Sequence, residues 1–193
     1  MTDWIETERT RMKPDSKTLS HPSRRKLASI ARQEAELQLR GNANRAGSAI
    51  ERYLSVFREA LNLNCETTRY SDLNTGYRWC CAFVYYCCLQ AGFRFPPKPE
   101  LDYRYTLAAV PAWHHWAMTD GFLLPADSAT PEAGDIVPFN CVDVGQPLDH
   151  IGIALEITPA FVLCAEGGNE NRTGLFERPF TCIAGYVRLP QTC

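Results

Sequence analysis

At Pro131 the periodicity of the chain changes, and that change limits the fold more than any other feature of the sequence. Upstream, apolar residues recur at helical spacing. Leu27, Ile30, Ala31 and Ala35 mark one helix from Arg24 to Leu39, and Ile50, Tyr53, Leu54, Phe57 and Leu61 mark a second. The loop between them, GNANRAGS at 41–48, ends on Ser48 with Glu51 three residues later, the spacing of a capping box. A third helix is predicted from Cys80 to a stop at Gly92. In it Cys80, Phe83, Val84, Cys87, Cys88 and Ala91 fall in register, and most sides are apolar. FPPKP at 95–99 breaks the chain, and PAWHHWAMTDG at 111–121 predicts a short fourth helix. Downstream of Pro131 the segments shorten into strand-like runs: GDIVPF at 134–139, HIGIALEI at 150–157, FVLCAEG at 161–167 and IAGYVRL at 183–189. Thr158-Pro159-Ala160 fits a tight turn between two antiparallel strands. Helices first and strands afterwards predict an α+β domain built on an antiparallel sheet.

A chain of 193 residues is long enough for one sizeable domain. Residues 1–24 are polar, charged and broken by Pro14 and Pro22, and read as a tail or arm; residues 25–193 are then the domain. A net charge of -2 points to neither nucleic acid nor an anionic membrane as partner. No apolar run reaches the length needed to span a bilayer. MTDWIETERTRMKPDSK has no apolar h-region, so the expectation is cytoplasmic synthesis without a signal peptide, any export taking another route.

Nine cysteines is an odd number, so at least one is unpaired, and in an unexported chain most are expected to be reduced. Four of them crowd into YRWCCAFVYYCC at 77–88. Adjacent helical residues point about 100° apart, so Cys80–Cys81 and Cys87–Cys88 do not readily share a metal ion. Cys141, Cys164 and Cys182 are scattered, and no metal or cofactor is expected. Cys81, Cys87, Cys88 and Cys164 sit in apolar sequence and read as small buried hydrophobes. Cys80 is different. It stands at the first turn of its helix, where unpaired N–H groups and the helix dipole lower a thiol pKa, the placement a nucleophile needs.

A thiolate needs a base. His21 falls in the tail, and His114 and His115 sit in an aromatic helix where packing or exposure is the plainer role. His150 opens a strand, which holds a side chain rigidly at a sheet edge beside a cleft. The turn at 158–160 returns Ala165-Glu166-Gly167-Gly168-Asn169 to its side. Glu166 or Asn169 is then the third group that orients the ring, with Glu166 preferred because it still lies on the strand.

With those residues placed, RWCCAFVYYCCLQAG resembles the WCAAFVSWCLKQAG signature of the NlpC/P60 and CHAP superfamily of cysteine peptidases and amidases. PEAGDIVPF and DHIGIALEI resemble its next two strands, and AEGGNENR its EGN turn. The helix-loop-helix upstream is similar to one that often precedes the core in CHAP-like members. The resemblance runs over about residues 25–190. It implies a papain-like α+β fold, Cys80 as nucleophile, His150 as base, and Glu166 or Asn169 as third residue. It also implies oxyanion donors: the Cys80 backbone N–H, with Asn74 and Tyr77 as side-chain candidates upstream. The substrate it implies is peptidoglycan, cut at the N-acetylmuramoyl–L-alanine amide or within the stem or cross-bridge. Delivery by a phage or a secretion system, with an immunity or delivery partner, suits a chain without a signal peptide. The chain departs from the pattern in the long stretch before Cys80 and in the extra glycine of EGGN. Three other readings stand beside this one: amide or acyl transfer on a non-wall substrate, a silent binding module that kept the fold, and a Cys80–Cys81 redox pair.

Overall fold

The computed structural model describes residues 22–64 and 68–190, so the expected tail up to His21 lies outside the described residues, as do Cys65 and Cys193. Four helices come first: α1 (Pro22–Glu36), α2 (Glu51–Asn64), α3 (Cys80–Ala91) and α4 (Val110–Thr119). Six strands follow: β1 (Leu123–Leu124), β2 (Ile136–Phe139), β3 (His150–Ile157), β4 (Phe161–Asn169), β5 (Arg172–Pro179) and β6 (Tyr186–Val187). They form one antiparallel sheet in the order β1-β6-β2-β3-β4-β5, so the class is α+β as the change at Pro131 implied.

α3 is held by burial rather than by propensity. Its valine, aromatic and cysteine residues are mediocre helix formers, yet Cys81, Ala82, Phe83, Val84, Cys87 and Cys88 are all buried. Burying side chains such as Phe83 and Val84 is worth roughly 1.5–3 kcal/mol each, enough to fix the helix against α1, α2, β3 and β4. The helix ends at Gly92, whose φ of 106° gives the left-handed cap that its sequence announces. The sheet's other face carries a second apolar cluster of Val137, Phe139, Ala154, Val162, Cys164, Ile183 and Tyr186. Covering on both faces explains why β2 and β3 read as nearly continuous apolar runs.

Several local expectations change. α1 starts at Pro22, inside the span read as tail; proline suits the first helical position because its missing N–H has no partner there. The capping box at Ser48 does not form. α2 begins at Glu51 itself, and that carboxylate is taken by Arg58 at 2.7 and 2.6 Å. The β3–β4 turn is as expected, with the Thr158 hydroxyl accepting from the Phe161 N–H at 3.0 Å. β5 escapes a reading by apolar runs, because it is an edge strand of alternating exposure with Glu177 and Arg178 between its apolar residues. It joins β4 through Glu170 and Asn171, both at positive φ (49° and 55°), the twist of a two-residue hairpin.

Candidate active site

Cys80 is the first residue of α3, and Trp79 before it makes no side-chain cap. The first N–H groups of the helix therefore point past its end with no intrahelical carbonyl to meet. Trp79 is fixed from both sides: its ring stacks on Tyr53 at 5.7 Å, and its Nε1–H donates to Asn171 Oδ1 at 3.0 Å. Asn171 in turn donates to the Gly41 and Asn42 carbonyls at 3.0 and 2.8 Å. The residue before the thiol is thus tied to the β4–β5 turn and to the loop ahead of α2.

Strand β4 crosses the start of α3 on two glycines. A Cβ on Gly167 would lie 2.4 Å from Phe83 Cβ, and one on Gly168 would lie 3.0 Å from the Cys80 nitrogen. The extra glycine of EGGN is therefore what lets the strand pass against the helix end. One residue earlier, the Glu166 side chain lies over Gly152 of β3, where a Cβ would sit 2.7 Å from Glu166 Cγ.

This crossing gathers the side chains. His150 is 2% exposed and Glu166 is fully buried; His150 Nε2 lies 2.8 Å from Glu166 Oε2. With Nε2 committed, Nδ1 is the nitrogen left for Cys80, and the thiol and the ring each shift the other's titration. Asn169 ends β4 opposite Arg172 and makes no hydrogen bond to the ring, so the acceptor is Glu166. The Phe139 ring stacks on the imidazole at 6.1 Å.

The electrostatics separate the two adjacent thiols. The Cys80 thiol is held well below its ordinary range, chiefly by the Cys81 side chain as hydrogen-bond partner; burial opposes this, and His150 adds to it. Cys81 is pushed well above its ordinary range, first by burial and then by Cys80. At His150 burial favours the neutral ring, but hydrogen bonds to Cys80 and Glu166 outweigh it and raise the pKa to about 10. Between those two limits the stable form is a thiolate beside an imidazolium. As pH falls through the lowered Cys80 value the thiolate gains its proton; as pH rises through about 10 the imidazolium loses its own. Iodoacetamide is therefore expected to alkylate Cys80 rapidly well below pH 8. A rate that climbs only near the ordinary thiol pKa would sink the ion pair.

The thiol opens into a cavity of about 280 Å³. Ala108, Val110 and Pro111 form one wall, Val144, Pro147 and Leu148 the other, with Arg78 and Gln146 as polar members. The second wall is built by Asp149, whose carboxylate accepts from the N–H groups of Val142, Asp143, Val144 and Gln146 at 2.9, 3.1, 2.8 and 3.3 Å. Burial would raise its pKa, but those four donors outweigh it and lower it. Arg78 reaches Asp143 on this wall at 3.2 Å. A larger cavity of about 410 Å³ lies between α2 and residues 96–106 and is lined by neither cysteine nor histidine.

Two candidate oxyanion donors are not in the site. Tyr77 donates its hydroxyl to the Leu54 carbonyl at 2.6 Å, which anchors the pre-α3 segment to α2. Asn74 donates to Asp72 Oδ1 at 3.2 Å and lines a separate cavity with Gly47 and Ser48. Both carry the right group at a plausible spacing, but local turns and helix contacts claim those groups first. His115 stacks on Tyr103 at 4.1 Å, a packing role. Sequence reasoning missed Arg178, which donates to Glu166 through Nε (2.7 Å to Oε1) and a terminal nitrogen (2.6 Å to Oε2). Its only local signal is its place on an alternating edge strand. Among the described residues no group of three His, Cys, Asp or Glu side chains is placed to hold a metal ion, and no helix is long and apolar enough to cross a membrane.

Residues 72–167 match the model of the CHAP domain family. No curated protein and no solved structure matches the chain.

Proposed function

The chain belongs, through residues 72–167, to the CHAP family, whose members are generally amidases and peptidases, and from that premise we propose that it is a cysteine hydrolase of bacterial peptidoglycan. The observation that carries this reading is the continuous run Cys80–His150–Glu166 beside an open cavity. The Cys80 thiolate attacks an amide carbonyl carbon, and the oxygen takes up the charge. The Cys80 N–H at the free end of α3 is the donor best placed for that oxygen. His150 then gives its proton to the leaving amine, which departs as the thioester forms. The neutral ring next takes a proton from water, and hydroxide attack frees the acid and restores the thiol pair. Glu166, fixed on Nε2, keeps the ring turned toward sulfur throughout.

The bond cut is either the N-acetylmuramoyl–L-alanine amide or a peptide bond of the stem or cross-bridge. Small apolar walls fit short peptide side chains. Such a substrate lies outside the cytosol, so this reading includes delivery by a phage or secretion route, with an immunity partner where the producer is itself sensitive. Purified peptidoglycan digested with the wild type and read by mass spectrometry tests the reading. Free stem peptides identify an amidase, and shortened or uncrosslinked muropeptides an endopeptidase. An absence of Cys80-dependent products across several wall types would overturn peptidoglycan in favour of a non-wall amide.

A further inference from the structure

Arg178 stands outside the three residues that the reaction uses, yet it is built onto them as closely as they are onto each other. It extends from β5 across the sheet and grips both oxygens of Glu166. Its guanidinium carbon lies 5.5 Å from the centre of the Phe139 ring and 5.2 Å from that of Phe176, so two aromatic faces hold its plane. Phe139 is also the ring stacked on His150. Glu166 is completely buried, so its charge has to be met inside the protein.

We propose that Arg178 is the positioning residue of this site, fixing both oxygens of Glu166 so that Glu166 can hold the His150 ring against Cys80. The proposal rests on the reading of Cys80 and His150 given above. The cluster then carries two negative groups, Cys80 and Glu166, and two positive ones, His150 and Arg178. Without Arg178, one oxygen of a fully buried carboxylate is left without a partner and the side chain is free to turn. A carboxylate that no longer holds Nε2 supports the imidazolium less well, and the His150 proton returns to sulfur. Arg172, a cation on the same strand, lies 4.8 Å from the centre of the Phe176 ring and is paired with Glu170 at 3.0 Å, and the other titratable groups nearby are not cations. Cys81 on α3 is a thiol raised by burial, Asp149 beside His150 is occupied by four backbone donors, and Cys164 on β4 and Cys182 after β5 are also raised by burial. Lysine is an imperfect substitute, because an ammonium is a point charge and does not span two oxygens as the planar fork does.

The test is the iodoacetamide alkylation rate of Cys80 against pH, with melting curves confirming the fold. Arg178→Met is expected to move the acid limb upward by about one pH unit, which slows alkylation roughly tenfold on the acid side of the wild-type limb. Arg178→Lys is expected to fall between it and the wild type, and is the variant read if Arg178→Met does not fold. In a Glu166→Gln background, Arg178→Met is expected to change the rate by less than about twofold, because both act through one carboxylate. A depressed wild-type limb that neither Arg178 variant moves, or losses that add fully to those of Glu166→Gln, would overturn the role of Arg178 alone. A wild-type limb at the ordinary thiol pKa would overturn the reading of Cys80 itself, and this proposal with it.

Discussion

Cys80→Ala is expected to lower peptidoglycan hydrolysis by at least about a thousandfold with the melting temperature nearly unchanged, while Cys81→Ala stays within about tenfold of the wild type. The two thiols are adjacent in sequence and both are buried, so composition does not separate them. Position on the helix does. Cys80 has His150 as its neighbour and a pKa held down, whereas Cys81 is 1% exposed and pushed up by burial. Cys81 is not expected to be neutral, since its side chain is the foremost influence lowering the Cys80 pKa. Its loss should therefore cost severalfold and shift the pH profile upward. Turnover of soluble muropeptides, with circular dichroism as the control for folding, decides the matter. Equal losses in the two variants would refute Cys80 as the nucleophile.

The second large effect is on stability. Gly167→Ala is expected to cost about 3 kcal/mol, at the upper end for overpacking. In a protein of this size that corresponds to a fall in Tm of roughly 6–12 °C. The new methyl group would lie 2.4 Å from Phe83 Cβ and 2.7 Å from both Phe83 Cγ and Trp79 Cζ3. None of these atoms can withdraw cheaply: Phe83 is wholly buried in α3, and β4 is hydrogen-bonded on both edges to β3 and β5. Calorimetry gives the answer directly. An unchanged Tm would refute the close approach of β4 to α3.

What could be read from the sequence was whatever depends on neighbours along the chain. The apolar register of α2 and α3, the Gly92 stop and the turn at Thr158 are local patterns, and they produced the right elements in the right order. The placement of Cys80 at a helix start, and of His150 beside Glu166 on strands joined by one turn, was legible for the same reason. Features that failed are set by competition or by distance. Glu51 had the spacing of a cap residue, but an arginine seven positions on outbids a backbone N–H for a carboxylate. Tyr77 and Asn74 carried suitable donors that α2 and a local turn had already engaged. Arg178 joins Glu166 across a hairpin of alternating residues, and nothing within β5 alone reveals which face its side chain will serve.

The crossing of β4 over the start of α3 also has a meaning in time. During synthesis residue 80 leaves the ribosome about seventy residues before His150, nearly ninety before Glu166 and about a hundred before Arg178 at typical elongation. A growing chain thus holds the thiol long before it holds the base, and the base before the group that orients it. Trp79 waits as long for Asn171, ninety-two positions away in sequence. On the proposed reading, the reactive thiolate is consequently a property of the finished domain alone: an interrupted or truncated product would carry an ordinary cysteine, and the thiol would gain its partners only when the last sheet pairings close.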